Sequence, residues 1–111
     1  MNEDFNLEYG VKSGDLNLIR QEVSKIFDID FVERHSDYLG RYYKYEGLFA
    51  DRLTIIEGKY LSTDTREHNH EIIIRVNISS GKKKDKISKY KYLKEGFRKR
   101  PEIELLSFSH A

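Results

Sequence analysis

The order of apolar and polar positions divides the chain into helical and extended stretches. Over residues 3–11, Phe5, Leu7 and Tyr9 alternate with period two, the pattern of a short strand. Leu16, Ile19, Val23, Ile26 and Phe27 then form one apolar stripe at helical spacing, which predicts a core-facing helix over residues 14–27 with Ser13 or Asp15 as its cap. Phe27, Ile29 and Phe31 alternate with Asp28 and Asp30, a strand signal. Residues 38–46 are rich in β-forming tyrosines, and residues 52–57 form the next extended run. Together they predict a hairpin closed by a loop of about five residues. Residues 58–69 are polar and read as loop. Residues 71–78 are the most apolar extended stretch and should lie centrally in a sheet, ended by the Ser79-Ser80-Gly81 turn.

The basic segment that follows reads best as a helix over residues 82–95. That places Ile87, Tyr90, Leu93 and, just past the end, Phe97 on one side, with Gly96 as a C-terminal cap. As a strand, residues 87–92 would alternate only imperfectly. Residues 102–108, entered after Pro101, read as a final strand. The expected fold is therefore α+β: a mostly antiparallel sheet with an N-terminal helix and a basic C-terminal helix packed on one face, all within a single domain over residues 1–111.

Charge changes this picture more than composition does. Residues 82–100 hold ten Lys or Arg against two acids, a balance of +8, while residues 1–81 hold ten basic and fifteen acidic residues, a balance of −5. The overall charge of +1 thus hides a basic segment beside an acidic body. The absence of cysteine excludes a disulfide framework and thiolate metal sites. The longest apolar run, Ile72-Ile73-Ile74, is too short to cross a bilayer, and no basic start precedes an apolar run, so a cytoplasmic chain without membrane contact is expected.

Candidate chemistry is sparse. His68 and His70 are two apart and would point the same way on a strand, but no third ligand is obvious, so neither a metal nor another cofactor is expected. Glu33, Asp37, Glu46, Asp51 and Glu57 supply carboxylates, yet nothing in their spacing separates an acid from a base. His35-Ser36-Asp37 contains triad residue types, but neighbours on an extended chain point apart. Recognition is better served. On a strand Tyr43 and Tyr45 share one face while Tyr42, Lys44 and Glu46 share the other, and whichever tyrosines stay outside can anchor a partner. On the basic helix, Lys89 and Tyr92 lie opposite the apolar side, where a tyrosine among lysines suits a nucleic acid or an acidic protein.

The stretch Glu33-Arg34-His35-Ser36-Asp37-Tyr38-Leu39-Gly40-Arg41-Tyr42-Tyr43, with the preceding helix, Leu53-Thr54-Ile55 and the closing Leu105-Leu106, resembles small bacterial immunity proteins. These sit beside toxins of contact-dependent inhibition and other polymorphic toxin systems. The shared pattern is a helix, a Ser-x-Tyr-x-Gly-x-Tyr-Tyr-like strand, a second hairpin strand, a short helix and an apolar final strand. The resemblance implies a non-catalytic protein that binds and neutralises a cognate toxin, and it transfers no site residue. The acidic body fits the nucleic-acid mimicry of some immunity proteins; the basic helix departs from it. The competing expectation is a small nucleic-acid-binding module that uses segment 82–100.

Overall fold

The computed structural model describes residues 4–60 and 70–110. In chain order these form β1 (Phe5–Val11), α1 (Leu16–Phe27), β2 (Val32–Ser36), β3 (Gly40–Tyr45), β4 (Arg52–Glu57), a 3-10 turn (Gly58–Tyr60), β5 (Ile72–Ile78), α2 (Lys83–Phe97) and β6 (Glu104–His110). The strands make one six-stranded sheet in the order β2-β3-β4-β5-β1-β6, and every neighbouring pair is antiparallel. This is the α+β fold expected from the sequence, with both helices on one face.

Alternation builds the core. Phe5, Leu7, Tyr9 and Val11 of β1 and Ile72, Ile74, Val76 and Ile78 of β5 are buried on the same side, joined by Leu53 and Ile55 of β4. The helices cover that side. From α1 come Leu16, Ile19, Val23 and Phe27, and from α2 Leu93 and Phe97. Phe97 joins the layers, its ring 4.3 Å from that of Tyr9 and 5.0 Å from that of Phe27. Burial pushes the Tyr9 hydroxyl up to about 12, with Tyr90 adding to the effect. Among the described residues, no helix is long and apolar enough to cross a membrane.

Asp15 is the N-cap of α1, accepting from the Leu18 N–H at 3.1 Å. At the other end, Asp28 turns left-handed (φ 56°) and its N–H reaches the Ser24 carbonyl. This corrects the strand expected at Phe27, Ile29 and Phe31. Phe27 lies one turn beyond Val23 on the same stripe, so helical packing claims it, and β2 starts only at Val32.

Two further expectations shift. The strand expected over 38–46 begins at Gly40, because residues 37–39 turn between β2 and β3. The β2–β3 hairpin itself has no apolar alternation to betray it; the Ser36 hydroxyl oxygen accepts from the Tyr38 and Leu39 N–H groups, and Gly40 supplies a positive φ of 63°. Gly96 is not a cap. It lies inside α2, where a Cβ would collide with the ring of Phe27, so glycine permits the two helices to approach. The cap position falls to Arg98.

Two substitutions test this packing. Val23 is 0% exposed. Val23→Asp buries an unpaired charge, costing about 3–5 kcal/mol by analogy with a broken buried pair, a large share of a typical total of about 5–15 kcal/mol. Loss of the cooperative melt by circular dichroism is expected, whereas Ile26→Asp, at a half-buried position, should leave a weakened but measurable transition. Gly96→Val should lower stability by about 1–3 kcal/mol through overpacking against Phe27, read as a lower urea midpoint with an unchanged slope.

Candidate functional site: the open face of the sheet

The face turned away from the helices is largely polar because most alternate residues of its strands are polar. Register aligns them in rows across the sheet. Val32, Lys44, Thr54, Arg75, Glu8 and Ser107 are successive cross-strand partners from one edge to the other. Beside them runs a second row, Arg52, Asn77, Asn6 and Ser109. The twisted surface forms an open groove of about 780 Å³, with Leu39 and Tyr42 on its β3 side. A third row, Ile56, Ile73, Gly10 and Glu104, closes one end. There the apolar residues are buried, and the His70 ring and Leu106 crowd Gly10 so closely that a Cβ would meet both below 3.0 Å.

Charges on this face are mostly engaged. Arg75 Nε donates to Glu8 Oε2 at 3.1 Å, Lys44 Nζ lies 3.4 Å from Glu46 Oε2, and Asn77 Nδ2 donates to Asn6 Oδ1 at 2.8 Å. Arg52, at the head of the second row, is exposed and has no ion pair or hydrogen-bond partner among the described residues. The adjoining Asp51 carboxylate is turned aside. It accepts from the N–H groups of Ser79 at 2.5 Å and Ser80 at 2.9 Å, and from the Ser80 hydroxyl. Partial burial pushes its pKa up, but those hydrogen bonds and the nearby Lys89 outweigh burial and bring it down to about 2.

The anticipated recognition residues separate into two groups. Tyr42 and Lys44 line the groove, and Glu46 stands beside Lys44. Tyr43 and Tyr45 turn to the helical side, where Tyr43 lies below the guanidinium of Arg20, 5.3 Å away. Lys89 is half-buried on α2 near Asp51. Tyr92 remains 45% exposed, but its ring stacks on Phe49 at 4.8 Å and leans on Phe27 at 5.6 Å, in the helical layer behind the sheet. The structure thus brings Tyr42, Lys44 and Glu46 together and leaves Tyr92 on the other side.

Candidate chemistry is drawn into structural contacts. His35 Nε2 meets Glu33 Oε2 at 3.1 Å, and Ser36 is occupied by its turn. His68 lies outside the described residues. His70 Nε2 meets Glu104 Oε1 at 2.8 Å, and this hydrogen bond is the main cause that lowers the Glu104 pKa. Among the described residues, no group of three His, Asp or Glu side chains converges on a metal position. Sequence reasoning missed Arg52, Arg75, Glu8 and Asn6, whose proximity comes from pairing between distant strands. No protein-family model matches the chain, and no curated protein matches it.

Asp51 gives the site a pH signature. Its folded pKa lies below the unfolded value of about 3.9, so its contribution is complete above that value and is lost as pH falls through about 2. Asp51→Asn should cost about 1 kcal/mol at neutral pH, allowing for solvent screening. The difference in urea stability between wild type and variant should shrink as the pH falls below about 4. A difference that stays constant with pH would show that the carboxylate charge is not what holds the Ser79-Ser80 turn.

Proposed function

We propose that this chain is a cytoplasmic immunity protein that binds and neutralises a cognate bacterial toxin domain, with no chemistry of its own. The observation that carries this reading is the uncovered sheet face, where a half-buried tyrosine and several charged side chains surround a groove wide enough for a protein segment. Such a surface suits recognition, because an aromatic anchor supplies affinity while charges steer encounter and select the partner. The stretch that resembles immunity proteins, Glu33 to Tyr43, is the β2–β3 hairpin, and its Tyr42 reaches the groove wall. Tyr42, Lys44 and Glu46 are the proposed contact residues; Lys89 and Tyr92 would serve a partner that docks on the helical side instead.

In segment 82–100, which carries the competing nucleic-acid reading, Lys82, Lys83, Lys84, Lys91, Arg98 and Lys99 are exposed, but part of the charge is committed within the fold. Lys86 is only 3% exposed, Lys94 donates to the Tyr90 hydroxyl at 3.1 Å, and Arg100 Nε lies 2.6 Å from Glu22 Oε1. A phosphate-binding face needs its cations available to replace condensed counterions.

Co-expression with the gene immediately upstream of its own, in a cell sensitive to that gene's product, tests the proposal. The wild-type chain should restore growth and co-purify with that gene's product; failure of both removes the immunity reading. Within a complex, Tyr42→Ala should weaken binding by about 2 kcal/mol or more, roughly thirtyfold. The variant should keep a cooperative melt, lowered only modestly, since Tyr42 is half-buried on the surface of the sheet.

A further inference from the structure

We infer that the occupant of the open face is an acidic protein segment, which seats a carboxylate against Arg52 and runs along the Asn77, Asn6 and Ser109 row. The inference rests on the reading of this face as the partner surface and adds the chemistry of what it holds.

Charge complementarity carries it. In the first row the cations have carboxylate neighbours: Arg75 is held by Glu8, and Lys44 is beside Glu46. The second row holds no acid. It begins with Arg52, unpartnered among the described residues, and continues through two amides to a hydroxyl. Two carboxylates lie near its head and both are engaged elsewhere: Asp51 accepts from Ser79 and Ser80, and Glu46, which the β3 register carries toward Arg52, lies 3.4 Å from Lys44 Nζ. An exposed guanidinium presents donors in a fixed planar fork that fits a carboxylate in bidentate fashion. Further along the row, Asn77 donates to Asn6, which leaves the Asn6 amide and the Ser109 hydroxyl available to backbone or side-chain groups of the same segment. Glu8, in the middle of the groove, disfavours a continuous polyphosphate backbone, whereas a segment with acids at intervals can place one at Arg52 and none at Glu8.

Heteronuclear NMR on the isotopically labelled full chain tests this directly. Three probes are titrated: a capped glutamate-containing peptide, its lysine-containing counterpart, and an oligodeoxythymidylate. The acidic peptide should shift the Arg52 side-chain resonance and the Asn6, Asn77 and Ser109 signals, and the lysine peptide should not. Arg52→Gln, at an exposed position, should keep the wild-type spectrum elsewhere and weaken the acidic peptide roughly tenfold. Arg52→Lys should lose part of that affinity, since the bidentate fork is gone. Equal response to both peptides, shifts confined to another surface, no response to either peptide, or a response to the oligonucleotide alone would each overturn the inference. A parallel growth-rescue assay separates the two claims. If Arg52→Glu protects as well as wild type, the acidic contact falls and the immunity reading stands. If wild type fails to protect while the acidic peptide still maps to this row, the immunity reading falls and the acidic contact stands.

Discussion

The pairing of β1 with β5 holds seven residues in unbroken register, from Phe5 opposite Ile78 to Val11 opposite Ile72. Side chains alternate along a strand, so a slip of one residue would carry Phe5, Leu7, Tyr9 and Val11 to the polar face. The helices would then have no floor, and the groove would fill with aromatics. The pairing joins segments more than sixty residues apart in sequence. Closing such a loop costs only logarithmically with its length, about 0.6 kcal/mol per doubling. Each fully buried aliphatic side chain contributes roughly 1.5–3 kcal/mol, and eight buried side chains meet along this one interface. Burial therefore decides the register, and the register in turn decides which side of the sheet can meet a partner.

The elements with the strongest periodic pattern could be read from the chain. The α1 stripe, the β3–β4 hairpin and the central β5 all follow from local residue order, because their burial repeats at the period of the backbone. The β2–β3 hairpin could not be read in that way: Glu33, Arg34 and His35 are all exposed, so no face of β2 reports a core. What specifies it is turn chemistry at Ser36 and Gly40, a weaker signal than apolar alternation. Phe27 shows the opposite difficulty. It fits the end of a helical stripe and the start of an alternating run equally well, and its packing against Phe97 and Tyr92 of α2 decides between them.

Gly96 illustrates how a residue can be correctly noticed and misassigned. Near the end of a helix, glycine signals a cap because it tolerates a left-handed backbone. Here its value is the missing Cβ, which lets the Phe27 ring press onto α2. The same contact line carries Tyr92, whose ring lies against Phe27 and Phe49. A tyrosine that seems in sequence to stand among lysines is therefore partly a cover for the helical layer, and the surface most suited to recognition passes to the other side of the sheet.

Segment charge and available charge are different quantities in this protein. The +8 of residues 82–100 is the most conspicuous feature of the sequence, and Lys82, Lys83, Lys84, Lys91 and Lys99 are exposed, yet Lys86 is buried, Lys94 is bonded to Tyr90, and Arg98 and Arg100 face Glu95 and Glu22. Arg52 lies in a stretch with no basic excess, and nothing in its neighbours Asp51 and Leu53 marks it. It is available because Asp51, the nearest acid in sequence, is drawn away by the Ser79-Ser80 turn, because Glu46 on the β3 side lies against Lys44, and because β5 brings Asn77 rather than a carboxylate opposite it. Partner choice on such a face depends on which charges folding leaves uncompensated. That is a property of cross-strand register, which no count along the chain contains.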